Sequence, residues 1–556
     1  MERTAARLLV DCLEAQGCDR VFTVPGESFL PVLDALRDSA IQTVTCRQEG
    51  GAAFMACADG ALNAYGNGRP GVAFVTRGPG ATNASIGMHV AFQDSQPMVL
   101  FIGDVDRRMR DREGFQEMDF AQFFGPMAKW TARIDDAARI PEYVARAFAT
   151  AVSGRPGPVA LALPEDMLHE AGLTAQPRPM ALRPAQAPCP DAMSTLLALL
   201  ADATNPVAIV GGGGWNGRAR DHFTAFASRI GLPVATAFRR QDAVDPGAAT
   251  YAGNLGYGPN PRLAERIRQA DLLLVVGARM GEATTDGYTL VTPEHPGQVL
   301  VHVHPDPEEL HRVYRTDLAI CADPADFAES ANLWGDADFA PFAAGAAAHQ
   351  DWLDWSTPTA EPAFALDMAA CMATAKQLIP ADAIICNGAG NFSGWWHRYW
   401  HYAGAPSQLA PTSGAMGYGL PAAVAAALRH PGRCVIAVAG DGDFLMNAQE
   451  LATAAQHGAD LLVLVMDNGA YGTIRMHQER EYPGRVVATD LANPDFAALG
   501  AAFGAWSKRV ETTAQFTDAL AEALELPGLR LLHCRTDLEQ LAASGLKLSA
   551  LRDRAR

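Results

Sequence analysis

Short apolar runs recur along the chain, separated by stretches of helix length. In the first part, residues 20–24, 41–45, 71–76 and 98–102 read as strands, and residues 5–16 and 50–61 as helices, the second built of small residues. Strands alternating with helices in this way predict a doubly wound parallel sheet over residues 1–165. A Pro-punctuated linker follows at 166–188, with Pro177, Pro179, Pro184 and Pro188. A second α/β block spans 189–330 and opens on the apolar run 206–210. Residues 331–362 carry no strand signal. The third block, 363–540, contains two runs that read as buried parallel strands, 433–439 and 461–466. Between them residues 447–457 read as a helix stopped by Gly458. The predicted fold class is α/β, three doubly wound parallel-sheet domains. The tail after Leu538 reads as a basic helix, and no repeat at a fixed short period is visible.

Composition sharpens this picture. At 556 residues the chain exceeds what one core supports, since single cores rarely grow past ~250 residues. It is 49% hydrophobic and 19% charged, with mean hydropathy −0.01, the balance of a soluble globular protein. Net charge of −18 and pI near 5.2 argue against binding nucleic-acid phosphates. The 10 cysteines lack paired short spacings and predict reduced thiols in a cytoplasmic protein. Neither a signal-peptide core nor an apolar run of membrane-spanning length is present, so no membrane partner is expected.

The candidate chemistry centres on Gly440-Asp441-Gly442-Asp443 and, one helix later, Asp467-Asn468-Gly469-Ala470-Tyr471-Gly472. A strand-helix-strand frame puts Asp441 and Asn468 at the same carboxyl edge of neighbouring strands, where open α/β sheets bind ligands. Those two oxygen side chains, with the Ala470 carbonyl, suit a Mg²⁺ that keeps diphosphate oxygens as its other ligands. Taken singly, each motif is a turn between strands. Upstream, Glu49 opens the small-residue helix, and the next loop reads Thr76-Arg77-Gly78-Pro79-Gly80-Ala81-Thr82-Asn83. Together these segments resemble the acetolactate synthase-like family of thiamine diphosphate (ThDP) enzymes. The likeness extends over most of the chain, through Phe115-Gln116-Glu117, a Gly-rich middle block and Thr412 to Leu420.

That resemblance implies a pyrimidine-binding domain, a central domain and a diphosphate-binding domain in chain order. It implies Glu49 as the carboxyl at the pyrimidine N1′, whose imino tautomer takes the C2 proton of the cofactor. Pro25 and Asn83 would line the same end. Met416 matches the wedge that bends the cofactor, with the Gly414 carbonyl on its amino group. Backbone groups of Gly442, Asp443, Tyr471 and Gly472 would cradle the diphosphate, as would a second loop, Gly388-Ala389-Gly390-Asn391. Acetolactate synthases carry Gln and His where Ala389 and Gly390 stand, so only main-chain contacts are expected there. Gln116 matches a glutamine that points at substrate, and Lys129 a nearby lysine. Glu27 and Ser28 replace small apolar residues of the family loop and offer the pocket a titratable group and a hydroxyl; as helix-start residues they have a plain structural alternative.

In the middle block, Gly212-x-Gly214-x-x-Gly217 is a weak dinucleotide pattern, and Leu274-Val275-Val276-Gly277-Ala278-Arg279 resembles a family segment, so FAD is an option. The family's second arginine falls at Ala283 and its substrate-shaping tryptophan at His477, which argues against biosynthetic acetolactate formation. The expectation is a ThDP- and Mg²⁺-dependent enzyme that decarboxylates a 2-oxo acid and releases or ligates the acyl unit. A C–C lyase or a benzoylformate decarboxylase-like enzyme is the alternative, and a catalytically silent regulatory subunit the last choice. In related enzymes the blocks that here carry Glu49 and Asp441 come from different subunits, so the resemblance implies a homodimer or dimer of dimers.

Overall fold

The computed structural model describes residues 3–554, apart from 67, 182, 335–339 and 362. Among them lie three six-stranded sheets flanked by helices, and every pairing within the sheets is parallel. The first contains β1 (Arg20–Thr23), β2 (Gln42–Thr45), β3 (Gly71–Val75), β4 (Met98–Asp104), β5 (Trp130–Arg133) and β6 (Pro158–Pro164), in the order β2-β1-β3-β4-β6-β5. The second holds β7 (Pro206–Val210), β8 (Val234–Thr236), β9 (Tyr251–Asn254), β10 (Leu272–Val276), β11 (Val299–His304) and β12 (Leu318–Cys321), ordered β12-β11-β10-β7-β8-β9. The third holds β13 (Ile384–Asn387), β14 (Gln408–Leu409), β15 (Val435–Gly440), β16 (Leu461–Asp467), β17 (Trp506–Val510) and β18 (Leu529–Arg535), ordered β14-β13-β15-β16-β18-β17.

Central strands such as β3, β4, β15 and β16 are apolar along most of their length because helices cover both faces of a parallel sheet, with polar residues such as Asp104 and Asp467 at their carboxyl ends. Every residue of β3, β4, β15 and β16 is buried. Edge strands tolerate polar residues: β17 reads Trp-Ser-Lys-Arg-Val and is largely open to solvent. The same reason hides β5 from a periodicity reading, since all four of its residues are half-buried. The helix Ala344–Trp355 lies in the stretch that the sequence left without elements. The helix expected at 447–457 is shorter, Glu450–Gln456, because the turn before it closes with i→i−3 bonds, Glu450 N–H to the Asn447 carbonyl at 3.0 Å and Leu451 N–H to the Ala448 carbonyl at 3.1 Å. Gly458 ends it in the left-handed region, φ +65°.

By contact density the chain forms two compact units. One comprises residues 1–184, 411–431 and 447–459; the other comprises 185–410, 432–446 and 460–556. The first sheet lies in the former, together with the helices Gly419–Arg429 and Glu450–Gln456, and the second and third sheets lie in the latter. All ten cysteines are free. No helix among the described residues is long and apolar enough to cross a membrane.

Candidate active site

The third sheet gathers its motifs at the carboxyl edge of β13, β15 and β16, beside the crossover where strand order reverses. Asp441 follows β15 directly and is buried. Its Oδ2 accepts the Asn493 side-chain amide at 2.7 Å and the Ala470 N–H at 3.2 Å. Asn468 Oδ1 accepts the same Ala470 N–H at 3.0 Å, so the two predicted ligands and Ala470 converge. Burial and the neighbouring Asp467 carboxylate raise the Asp441 pKa, and the Asn493 amide and the Gly442 N–H oppose them. Asp467 shifts the other way, although burial opposes it, because His533, Asn493 and Arg535 all donate to it. One carboxylate is thus compensated by the protein, and its neighbour is left short of a cation.

The second predicted phosphate loop joins this edge. Ala389 donates its N–H to Asp443 Oδ1 at 3.1 Å, and a Cβ on Gly388 would lie 2.0 Å from that same atom, so a side chain there would displace the Asp443 carboxylate. Asn391 and Thr473 exchange hydrogen bonds of 3.0 Å, tying this loop to the one after β16. Three expected main-chain donors are thus engaged within the protein, those of Ala389 and Asn391 as above and the Tyr471 N–H, which goes to the Thr489 carbonyl at 2.9 Å. Tyr471 instead lays its ring against Gly442, where a Cβ would meet Tyr471 Cε1 at 2.4 Å. Asn493, which bridges Asp441 and Asp467, was not singled out in the sequence; an Asn-Pro-Asp ahead of a helix carries no signal beyond a turn.

The first sheet assembles a different set. Glu49 heads the helix Glu49–Asn63, with Gln48 as N-cap, and its Oε2 accepts the Asn83 amide at 2.9 Å. Asn83 lies on the helix Gly78–Gln93, whose first N–H is given to the Gln116 carbonyl at 3.0 Å. Gln116 therefore stands beside the Glu49 loop, on a segment where Asp111, Glu113 and Gln116 all have positive φ. Pro25 and Glu27 are exposed, and the Glu27 carboxylate pairs with Arg77 at 3.2 Å. Ser28 is fully buried with its hydroxyl 2.9 Å from that of Thr76, so it braces this loop. Lys129 donates to the carbonyls of Thr150 and Ser153 at 2.5 Å each, satisfying the end of the helix Ile140–Val152. In the same unit, Met416 is half-buried on a segment anchored at Thr412 by Asp94 and at Gly417 by Asn447.

Comparison with known proteins agrees with this division. Residues 3–123 match the N-terminal TPP binding domain of thiamine pyrophosphate enzymes, 193–330 their central domain, and 388–534 their C-terminal TPP binding domain. The chain is 32% identical over 540 residues to the acetolactate synthase large subunit of Parasynechococcus marenigrum (strain WH8102), covering 94% of this chain and 86% of that protein. It is 29% identical over 545 residues to the acetolactate synthase isozyme 2 large subunit of Escherichia coli (strain K12), covering 96% and 95%. Acetolactate synthase of Bacillus subtilis (strain 168) is 28% identical over 543 residues, covering 95% and 92%. The chain belongs to the acetolactate synthase-like family of thiamine diphosphate-dependent enzymes.

The donor set of the third sheet fits the family's cofactor. A buried carboxylate lacking a cation, a side-chain amide oxygen and a carbonyl form the hard-oxygen set that suits Mg²⁺ and diphosphate. The departures from the family are equally visible. His477 is exposed on the helix Gly472–Glu481 and lies 2.6 Å from Arg480, and Ala283 sits in a turn. In the second sheet, Trp215 is buried under the glycine loop and donates to the Gly211 carbonyl at 2.8 Å. A Cβ on Gly212 would stand 2.0 Å from the Gly277 carbonyl, and Asn216 already caps the helix Gly217–Ile230.

Proposed function

We propose that this family member is a ThDP- and Mg²⁺-dependent enzyme that decarboxylates a 2-oxo acid and releases or ligates the resulting acyl unit. The observation that carries the reading is Glu49, placed at a helix head with Oε2 fixed by Asn83. When bound, thiamine diphosphate supplies a nucleophilic carbon at C2 of its thiazolium. Glu49 would hold a proton at the pyrimidine N1′, and Asn83 keeps its carboxyl from turning away. Asp441, Asn468 and the Ala470 carbonyl would hold Mg²⁺. Gly388, Ala389, Gly390, Asn391, Gly442, Asp443, Tyr471 and Gly472 would surround the diphosphate. Met416 and Gly414 would support the two rings, with Pro25 beside the pyrimidine. Gln116 and Glu27 would face the substrate, and Ser28 would hold the Glu27 loop in place.

On this reading residues 1–165, 189–330 and 363–540 are the pyrimidine-binding, central and diphosphate-binding domains. Trp215 and the Gly212–Gly277 approach crowd the glycine loop, and the Asn216 cap takes the Ala219 N–H at 2.8 Å, one of the helix N–H groups a pyrophosphate would use. We therefore take the central domain to hold no FAD, and the purified protein should show no flavin absorbance. The absence of an arginine at Ala283 favours a second reading, a lyase or benzoylformate decarboxylase-like enzyme without an acceptor 2-oxo acid. Glu49 and Asp441, both in place, weigh against a silent regulatory subunit. We take the enzyme to be cytoplasmic and to assemble as a homodimer or homotetramer, since each sheet carries only part of the donor set. Turnover of a panel of 2-oxo acids, with and without an aldehyde acceptor and with ThDP or Mg²⁺ left out, tests the reading. Turnover that persists without either cofactor would refute it.

A further inference from the structure

The loop that delivers Glu49 to its helix is fastened from the side by the helix Glu450–Gln456. Glu450 is fully buried. Its Oε1 accepts the Gln48 N–H at 3.0 Å and the Arg47 N–H at 3.1 Å, and Oε2 lies 3.3 Å from the Arg47 N–H and takes the Thr453 hydroxyl at 2.6 Å. Gly51 admits this carboxylate, because a Cβ there would lie 2.6 Å from Glu450 Oε1. Two further contacts tie the same helix to the same loop. His457 Nε2 accepts the Thr45 N–H at 2.9 Å, and Arg47 Nη2 donates to Gln456 Oε1 at 2.5 Å.

Burial pushes the Glu450 carboxyl above the usual range, although Thr453 and the two backbone N–H groups oppose it. A buried carboxylate is a costly way to satisfy two N–H groups that a neutral acceptor would also satisfy. What a carboxylate adds is charge-assisted, two-pronged geometry. It fixes the peptide planes of Arg47 and Gln48, the two residues that precede Glu49. Gln48 in turn caps the helix through its side chain on the Gly51 N–H at 3.1 Å. The direction in which the Glu49 side chain leaves the backbone is therefore set by Glu450, and its rotamer by Asn83.

We propose that Glu450 is a positioning residue for the reaction, holding Glu49 in register with the pyrimidine N1′, and that Gly51 serves to let it in. The proposal rests on the role given to Glu49 above. A double-mutant cycle of Glu49→Gln and Glu450→Gln tests it, read by kcat, by hydrogen exchange at C2 of bound ThDP, by ThDP affinity in calorimetry and by melting of the cofactor-free protein. Glu450→Gln should lower kcat and C2 exchange about tenfold each, within what a small misplacement of a catalytic group costs. ThDP affinity should stay within about threefold, and on the Glu49→Gln background the second change should cost less than about twofold, because the two act as one unit. Losses that multiply in the double variant, or single-variant rates within about twofold of the parent, would overturn the proposal. Gly51→Ala, which alters no charge, should reproduce the loss, and normal rates in that variant would count equally against it. If Glu49→Gln itself keeps full activity, the role of Glu49 fails first and this inference falls with it.

Discussion

The first and third sheets have the same strand order, β2-β1-β3-β4-β6-β5 and β14-β13-β15-β16-β18-β17, yet they carry different chemistry in corresponding loops. After the edge strand β2 comes Glu49, and after its counterpart β14 comes the segment with Met416. After β1 comes the Pro25–Ser28 loop, and after β13 the Gly388–Asn391 loop. After β3 comes the Arg77–Asn83 helix start, and after β15 the Asp441–Asp443 turn. The first sheet presents a carboxyl whose Oε2 meets one neutral amide donor. The third presents a buried carboxylate beside another carboxylate. The first carboxyl is held by a neighbouring amide, whereas the second is crowded by like charge, the setting in which a bound cation gains most. The scaffold is shared; a few loop side chains assign the task.

The largest effect expected from breaking this division is on the first sheet. Glu49→Gln should lower kcat by at least ~10²-fold while ThDP still binds, the usual scale for a lost acid-base group; titration calorimetry beside steady-state rates checks both halves. On the third sheet the failure should be of binding. Asp441→Ala removes a ligand and a charge together, so the protein should purify without cofactor and regain it only in excess Mg²⁺ and ThDP. Unchanged ThDP affinity would dissolve the contrast between the sheets.

Asp441→Asn in metal-free protein sharpens the contrast from the side of stability. The folded pKa of Asp441 is raised, so its charged form opposes folding, and that penalty grows as pH rises from its unfolded value near 4. At neutral pH the Asn variant should be the more stable, with a higher Tm, and the gain should vanish in acid. A lower melting temperature at pH 7 would mean that the protein itself compensates Asp441. The smallest change concerns Lys129. As a cap on the helix Ile140–Val152, Lys129→Ala should cost about 0.5–1 kcal/mol in thermal unfolding and leave kcat unaltered.

The amino-acid sequence by itself determined the α/β class and the central strands, and it singled out Glu49, Asp441 and Asn468 as candidates, because each rests on local information. A continuous apolar run encodes a strand buried on both faces, and Gly-Asp-Gly or Asn-Gly encodes a turn at its end. What only the tertiary structure decided involves residues far apart in the chain. The common strand order of the first and third sheets leaves no repeat in the sequence, since topology is set by crossover connections and not by side-chain identity. Asn493 became visible only when folding carried its amide to both Asp441 and Asp467. Glu450 lies 403 positions from Arg47, whose N–H it accepts, and in the sequence it is one more helix-forming residue. The Tyr471 N–H is taken by the Thr489 carbonyl, 18 positions further along the chain. Local chemistry names the candidate groups, and only packing says which other groups hold them still.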